Sequence, residues 1–516
     1  MHAQSIDLTA NVESEKEYRR AAVEEAMEGL MLWLTGPALS QPLHRVEAEM
    51  LERLMRLGTL LLGVWLVHRL PVRVPKTLQQ GRGWYLYDRM AGAPVRWRFG
   101  MGFIARPEYV RVHGQGPLKV APFDREIGLA GGRMSLGVHL IVGLLVTMLT
   151  FQDSHDVLGA FGGYVPSTRA MHGIVDKLGP QAAAYMEDLP APDDDGEILV
   201  IEADHKGAPH MSPEEHRLRR RKHQKQPRGL SQRARRRDRR RRKHSVRKKT
   251  GDKSKNARMA TIGVVYTLRR LPDGVIEGPI NRRVFGTFDG PRALFQTLKR
   301  EAVKRGYGVK ETLFLADGEA RLWKLQKEFF DRATPCLDWY HLSEYLWSAG
   351  GTVPKAATKA GRKRLEAWVA ARKEELRSGR IDDVLGALAD VRAKIGKSGP
   401  GTKARRKKVD SAITYIENHR DLMPYADLLE RDLVIGTGNI EGAAKYIGGR
   451  LDGSGMRWSK ERSEHVLALR CVMASDEWNG FAAAVMTSHE ARDDWPIERI
   501  TPDRPMTPHK SARKAA

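Results

Sequence analysis

Three acidic side chains, Asp204, Asp317 and Glu441, are the first candidates for chemistry in this chain. Each aspartate closes an apolar run typical of a buried strand, and Glu441 lies in the first turn of a predicted helix. Carboxylates at partly buried strand ends are costly unless a cation compensates them. Two Mg²⁺ (or Mn²⁺) ions about 4 Å apart would do so, because Mg²⁺ prefers oxygen ligands and leaves room for substrate phosphate. Such a pair can activate a water or a 3′-hydroxyl against a phosphodiester.

The stretch around Glu441, residues 436–470, adds cationic and aromatic side chains to this acid. Asn439 is a suitable N-cap, and an acid in the first turn suits the positive end of the helix dipole. A second helix is predicted over residues 460–473, where apolar residues recur. The residues of this stretch that we predict to contact DNA are Lys445, Arg450, Arg457 and Trp458.

Neighbouring acids leave the set of metal ligands open. Glu202 lies two residues before Asp204 on the same strand face, and Glu319 lies two residues after Asp317. Either could be a true ligand or a support for one. The Asp-Gly pair that begins at Asp317 is also a common turn former.

One histidine, His341, follows an aromatic pair at the end of the last predicted strand. It could orient a phosphate or the helix that carries Glu441, and a purely structural role is the alternative. We count it with the candidate catalytic residues.

The charge of the chain points to a polyanionic partner. It has 88 Lys and Arg against 63 Asp and Glu, a formal net charge of +25. Between Arg217 and Thr250, 19 residues are Lys or Arg and only Asp238 is acidic. A run this charged is expected to be a solvated loop that binds duplex phosphates without reading their sequence. Within it we predict DNA contacts by Arg235, Arg236, Arg237, Arg239 and Arg240.

Cysteine usage and hydropathy indicate a cytoplasmic protein. Two cysteines, Cys336 and Cys471, give no disulfide framework and no cysteine-based metal site. The N-terminus lacks the apolar run of a signal peptide. The most apolar segment, residues 136–149, is too short to span a bilayer, so no membrane association is expected.

Strand-like and helical runs alternate through the middle of the chain and predict an α/β core. Helices at 291–305 and 322–332 separate the last three strands, which gives the order βββαβαβ. The five predicted strands cover residues 197–204, 261–268, 284–288, 311–316 and 335–340.

Composition and periodicity divide the chain into successive regions. Three helices are predicted over residues 134–150, 154–161 and 167–178, and their short connector resembles a helix-turn-helix, although plain helical packing is equally compatible. The predicted regions are an N-terminal helical region (1–70), a small β module (71–128), the helix-turn-helix-like DNA-binding region (129–190), a first segment of the catalytic core with an Arg-rich insertion (196–350, insertion 209–257), a helical insertion (351–432), a second segment of the catalytic core (433–480) and a flexible tail (481–516).

Taken together, these features resemble the DDE transposases, and more narrowly the Kra-type insertion-sequence transposases of bacteria. The block GNIEG (438–442), followed by Arg450 and GMRW (455–458), is the most specific portion of the resemblance, which covers most of residues 95–475. The other matching pieces are the strand ending at Asp204, FLADG (314–318) with Trp323, and LDWYH (337–341) with EYL (344–346).

The resemblance implies a ribonuclease-H-like α/β fold. It would be a mixed five-stranded sheet with a helical insertion, preceded by a mainly helical N-terminal region and a small β module. Asp204, Asp317 and Glu441 would ligate Mg²⁺ or Mn²⁺, and His341 would lie beside them.

The implied activity is that of a DNA transposase, which cleaves DNA at the ends of an insertion sequence and joins it to a target in a metal-dependent reaction. The implied partners are double-stranded terminal repeats, target DNA and further copies of the chain, as a homodimer or higher homo-oligomer at the bacterial nucleoid. Two alternatives remain open: a catalytically inactive, transposase-derived DNA-binding regulator, and a structure-specific nuclease of the same fold that cuts without joining.

Overall fold

The computed structural model divides the chain into two compact units. One comprises Met1–Leu178 with Asn479–Ala516, and the other comprises Gly179–Trp478. The residues that the structure describes are 5–6, 12–69, 84–111, 118–121, 123–124, 127–130, 134–211, 217, 257–352, 358–453 and 456–490.

The first unit contains the predicted N-terminal helices and short strands. Its small core, around Leu66, Val67 and Trp97, forms where the second helix meets the sheet. The elements are β1 (Ser5–Ile6), α1 (Val12–Leu34), α2 (Leu43–His68), β2 (Trp84–Trp97), β3 (Gly100–Arg111), β4 (Leu118–Val120), β5 (Leu129–Ala130), β6 (Met134–Ser135), α3 (Leu136–Met148) and α4 (Phe151–Phe161). The strands pair in the order β1-β3-β2-β6-β5, with β4 beside β3.

A third helix of the predicted helix-turn-helix-like group, α5, runs from Thr168 to Asp188. Its start matches the prediction, because the Ser167 hydroxyl accepts a hydrogen bond from the Ala170 N–H at 3.2 Å. Its predicted end at residue 178 is wrong, since the helix continues through Pro180. The helix can continue because proline removes only one backbone hydrogen bond. Beyond it, the buried side chains of Ala182 and Met186 stabilise the following turns by packing.

The second unit is built on a mixed five-stranded sheet, as predicted. The strand order is β11-β10-β7-β8-β9, with β7, β10 and β11 mutually parallel and β8 antiparallel to both of its neighbours. The predicted order βββαβαβ is confirmed. The elements are β7 (Ile198–Pro209), β8 (Ala257–Arg270), β9 (Ile276–Thr287), α6 (Pro291–Lys304), β10 (Glu311–Ala316), α7 (Ala320–Phe329) and β11 (Thr334–Leu337).

The predicted helical insertion follows the fifth strand and precedes the helix that carries Glu441. Its apolar side chains, such as Val384, Leu388 and Val409, are fully or almost fully buried within the bundle. The helices from the fifth strand to the end of the insertion are α8 (Trp339–Gly350), α9 (Lys359–Arg377), α10 (Ile381–Ala393), α11 (Thr402–Asn418) and α12 (Tyr425–Glu430). After the insertion come α13 (Gly438–Leu451), which carries Glu441, α14 (Lys460–Ala474) and α15 (Trp478–Glu490).

Helices cover both faces of the central strands. Glu202 of β7 contacts α13 through the Ile440 N–H, whereas Gly263, which pairs with the next residue of β7, lies against Leu298 of α6. Successive residues of a strand point to opposite faces, so α13 and α6 lie on opposite sides of the sheet. The burial of residues 198–203 of β7 and of most of β10 follows from this three-layer arrangement.

Other predicted boundaries also differ from the structure: β8 begins at Ala257 rather than at residue 261, and β9 begins at Ile276 rather than at residue 284. β7 does not end at Asp204 but continues to Pro209, because antiparallel β8 pairs with it up to Ala257. The fifth strand ends at Leu337 rather than at residue 340, and α8 begins at Trp339 because Asp338 caps it. The region from residue 481, predicted as a flexible tail, is helical to Glu490, while residues 491–516 lie outside the described range.

None of the described helices combines the length and the apolar character that crossing a lipid bilayer requires.

Candidate active site

The parallel strands bring Asp204, Asp317 and Asp338 to one edge of the sheet. Ala316, the last residue of β10, pairs with Ala203 of β7 on one side and with Leu337 of β11 on the other. The next residue of each segment is an aspartate. In-register residues of parallel strands point to the same face, so the three acids follow one another along the carboxyl edge.

Asp204 is partly buried, and the pKa of its carboxyl group is raised. Burial raises the pKa of its carboxyl group, and the neighbouring charge of Asp317 raises it further. The His205 backbone N–H, at 2.6 Å from Asp204 Oδ1, acts in the opposite direction, as does the charge of His341. Two adjacent carboxylates with incomplete compensation favour the binding of a cation between them.

Asp317 lies in a tight turn after β10. Its Oδ1 accepts a hydrogen bond from the Glu319 N–H at 3.0 Å, and its carbonyl accepts one from Trp323 Nε1 at 2.7 Å. Asp317 is therefore a turn former as well as a member of the acid group. The exposed side chain of Glu319 lies 3.1 Å from His205 Nε2.

Asp338 is fully buried and organises the last strand, α8 and the segment before α13. It accepts hydrogen bonds from the Thr437 N–H at 2.8 Å and from the His341 N–H at 2.9 Å. His341 Nδ1 lies 2.7 Å from the same carboxylate. Burial alone would raise the pKa of Asp338, but these hydrogen bonds lower it below its ordinary value.

His341 consequently carries a positive charge beside the acids. Its hydrogen bond with Asp338 raises the pKa of the imidazole to about 9, and the charges of Asp317 and Asp204 add to the effect. The side chain is about half exposed, at 48%. A cation of this kind, held by a buried carboxylate and facing solvent, can attract and orient a phosphate.

Glu202 fastens the start of α13 to the central strand. It is fully buried, accepts the Ile440 N–H at 2.7 Å and accepts the Tyr266 hydroxyl at 2.8 Å. Burial raises the pKa of Glu202 to about 7, although the hydrogen bonds from Tyr266, Ile440 and Asn439 lower it. The predicted N-cap, Asn439, is wrong: Thr437 occupies that position without a side-chain capping bond, and Glu202 instead satisfies a first-turn N–H.

From this anchor, α13 runs alongside β7 past Asp204. A Cβ added at Gly448 would lie 2.2 Å from Lys206 Cε, so the helix touches the strand again at that point. The four residues from Glu202 to Lys206 and the eight from Ile440 to Gly448 both span about 12–13 Å. Glu441 follows Ile440 in the first turn of α13, one residue from this anchor to β7.

The Glu441 carboxylate itself forms an ion pair. Its Oε1 lies 2.7 Å from Lys445 Nζ, and both side chains are well exposed. Within the described residues, no three His, Cys, Asp or Glu side chains are arranged to hold a metal ion. The structure thus brings Asp204, Asp317 and His341 into one electrostatic group, whereas Glu441 forms a separate ion pair with Lys445.

The donor set fits a divalent metal in its chemistry. Asp204 and Asp317 supply carboxylate oxygens, and burial together with the charge of Asp317 raises the pKa of Asp204. Glu441 could join them by exchanging its exposed Lys445 partner for the metal, since exposed ion pairs of this kind contribute little free energy. Glu202 already serves two donors, which makes it a support for α13 rather than a free ligand.

The other predicted DNA contacts have different surroundings. Lys445 is exposed and Arg457 is half-buried. Arg450 and Trp458 are both buried, with the guanidinium 4.8 Å from the indole centroid, and Trp458 Nε1 donates to the Leu451 carbonyl at 2.8 Å. These two side chains pack the end of α13, and we do not include them among the DNA contacts that we propose. Arg235, Arg236, Arg237, Arg239 and Arg240 lie outside the described residues.

Sequence reasoning did not select Asp338 as a site residue, although the signal was present. Like Asp317, it follows an apolar strand directly, and it precedes His341 by three residues. The pairing of β10 with β11 makes it the third acid in register. Its burial and its three donors make it a positioning residue for His341 and for the entry to α13.

Comparison of the chain with models of known protein families and with curated proteins finds no match.

The raised pKa of His341 predicts a pH-dependent contribution to stability. The folded pKa, about 9, exceeds the ordinary value of 6.5. The stabilisation is therefore complete below about pH 6.5 and is lost as the pH rises through about 9. We expect the difference in free energy of unfolding between the wild type and His341→Gln, measured by urea denaturation, to shrink across that interval.

An NMR titration of the His341 imidazole gives the same information directly. The Asp338→Asn variant is the matched control, because it should return the pKa of His341 towards its ordinary range. A wild-type imidazole that titrates near 6.5 would contradict the proposed pairing with Asp338.

Proposed function

We propose that this chain is a DNA transposase with a ribonuclease-H-like core, which cleaves DNA at the ends of an insertion sequence and joins those ends to target DNA. The observation that carries the proposal is the in-register placement of Asp204 and Asp317 on adjacent parallel strands, with the α13 turn that bears Glu441 anchored to the same strand. The mixed five-stranded sheet and the helical insertion before α13 agree with it.

In this proposal Asp204, Asp317 and Glu441 hold Mg²⁺ or Mn²⁺. A bound metal pair supplies a nucleophile at neutral pH and stabilises the leaving oxygen of a phosphodiester. Glu202 and the Ile440 N–H hold the first turn of α13 against β7, and we propose that Glu441 reaches the acids from this turn. If Glu441 bound a metal, its present partner Lys445 would be free to contact a phosphate.

In the proposal His341 contacts the substrate, and Asp338 positions it. Asp338 keeps the imidazole protonated and fixes its Nδ1, which leaves Nε2–H exposed for a phosphate oxygen. The cation lies close enough to Asp204 and Asp317 to influence both carboxylates. It therefore offsets charge repulsion between the acids and an incoming DNA strand.

DNA affinity would come from regions outside this edge. The strands that flank the Arg-rich run in sequence, β7 and β8, are paired as far as Pro209 and Ala257. Asp204 lies five residues before Pro209, about 17 Å along the same strand. Base recognition is assigned to α3, α4 and α5, and a homodimer or higher homo-oligomer would assemble on the DNA.

An assay of cleavage and joining tests this function. The purified full chain is incubated with DNA that carries candidate terminal repeats, with Mg²⁺, with Mn²⁺ or with a chelator. We expect metal-dependent cuts at the repeat ends and joined products. Cuts without joining would indicate a nuclease instead, and binding without cuts would indicate an inactive regulator.

A further inference from the structure

The helical insertion contains a cleft that the proposed catalytic group does not use. Its volume is about 830 Å³, and its walls come from α8, α10 and α11. All of these helices belong to the unit that contains Asp204 and Asp317. It is a large site by the standards of protein ligand pockets.

The cleft is strongly cationic. Of its charged lining residues, only Asp410 is acidic, and it pairs with Arg392. The other cations make no ion pair within the described residues. The positively charged lining residues are Arg392, Lys397, Lys403, Arg406 and Lys407. Four of these five cations have no ion-pair partner in the described part of the chain, which favours a ligand with several negative charges.

One of these cations has an unsatisfied polar atom. Arg406 Nε is buried and has no hydrogen-bond partner within the described residues. Buried side-chain donors in folded proteins are nearly always bonded, so an orphaned one needs an explanation. A phosphate oxygen in the cleft would accept from it, because guanidinium and phosphate groups are matched in charge and geometry.

One wall of the cleft follows a face of α11, and the cations of this helix lie in its first half. Lys403 and Lys407 are four residues apart, and Thr414 and Tyr415 continue the wall towards the end of the helix. The twelve residues from Lys403 to Tyr415 rise about 18 Å, which matches about five nucleotides along one strand of B-form DNA. The cleft therefore suits an extended polyanion better than a single small anion.

The far end of the cleft touches the turn that carries Asp317. His419 Nε2 lies 3.1 Å from the Gly318 carbonyl, and a Cβ added at Gly318 would lie 2.3 Å from the Tyr415 ring. Burial raises the pKa of the Tyr415 hydroxyl, and the charge of Asp317 adds to the effect, in keeping with this proximity. A strand lying along the cleft would thus lead directly to the acid pair.

We propose that this cleft binds the phosphodiester backbone of the DNA strand next to the bond that is cleaved. The proposal rests on the proposed function for the location of that bond, but its ligand chemistry rests on the cleft alone. The cations hold consecutive phosphates, Arg406 Nε donates to one of them, and Tyr415 and His419 join the cleft to the turn at Gly318.

The first test compares two double variants with the same loss of charge. Lys403→Gln/Lys407→Gln removes two cations of the cleft, whereas Lys363→Gln/Lys408→Gln removes two exposed lysines that do not line it. Binding of a labelled mixed-sequence duplex is measured against salt concentration. We expect the plot of log binding constant against log salt concentration to be shallower for the cleft variant, by about 1.8 units of slope, since each lost phosphate contact removes about 0.9. The control should keep the wild-type slope, and equal slopes for the two variants would overturn the proposal.

The second test places a cross-linker in the cleft. Both natural cysteines are buried, so a thiol introduced by Ser411→Cys can be labelled selectively with a photoactivatable group. We expect cross-links to nucleotides adjacent to the cut, and none from the exposed control Ser378→Cys. Cleavage without cross-links from position 411 would overturn the cleft proposal alone. Cross-links with a chain that never cleaves would support the cleft and overturn the proposed function.

Discussion

We expect Asp317→Asn and Glu441→Gln to abolish cleavage of DNA while leaving DNA affinity close to that of the wild type. Each substitution keeps the size of the side chain and removes the negative charge that a divalent metal requires. Phosphate affinity is assigned to cationic residues elsewhere, so its loss is not expected. Cleavage is measured on end-labelled DNA with Mg²⁺ and with Mn²⁺, and affinity is measured by fluorescence anisotropy.

Glu319→Gln is the matched control for these variants. Glu319 lies two residues from Asp317 and is exposed, but the structure gives it a place beside His205 rather than in the acid group. It should retain cleavage. A folded Asp317→Asn variant that loses DNA binding together with cleavage would show that the two roles have been separated incorrectly. Loss of cleavage in Glu319→Gln would move the ligand assignment to that residue.

Deletion of the Arg-rich run, residues 217–250, should produce the largest change in DNA affinity. The run contains 19 basic residues, and on duplex DNA each neutralised phosphate contributes about 0.9 to the log–log salt slope. If about six of them engage phosphates, the deletion should flatten the slope by about five units. The β7–β8 pair should tolerate the deletion, because Pro209 and Ala257, the last paired residues on either side of the run, lie outside the deleted segment.

A variant in which every Lys and Arg of the run is replaced by Gln separates charge from length, and it should match the deletion. Selectivity for the element ends should survive in both, because base recognition is assigned to the helices before residue 190. An unchanged salt slope would identify the run as an inert loop. Loss of selectivity with an unchanged slope would place sequence recognition in the run itself and would contradict the assignment of that role to the helices.

The order of the strands could be predicted because each one is a short apolar run bounded by turn residues. The position of Asp317 followed from this, since β10 ends where its apolar run ends. Asp204 also ends an apolar run, yet β7 continues for five more residues. The continuation depends on pairing with β8, which lies across a long insertion in the sequence, and local pattern does not report it.

The interactions that position the candidate site mostly join residues that are far apart in the sequence. The hydrogen bond between Glu202 and Ile440 joins residues 238 positions apart, so no periodicity could reveal that Glu202 anchors α13. Asp338 was visible as an acid after a strand, but its importance depends on burial and on three donors from two segments. The spacing of Lys403 and Lys407, four residues apart, is enough to assign both to one face of a helix. That this face meets α8 and α10 to form a cleft follows only from the packing of the bundle.

The most direct test of the three-acid metal site is a crystal structure of the chain with DNA and Mn²⁺, in which anomalous scattering locates the metal. We expect two Mn²⁺ ions about 4 Å apart at the carboxyl edge of the sheet. They should be ligated by Asp204, Asp317 and Glu441, with the Glu441 carboxylate displaced from its present 2.7 Å contact with Lys445. Mn²⁺ bound through Glu202 or Glu319 instead, with Glu441 still paired to Lys445, would contradict that assignment.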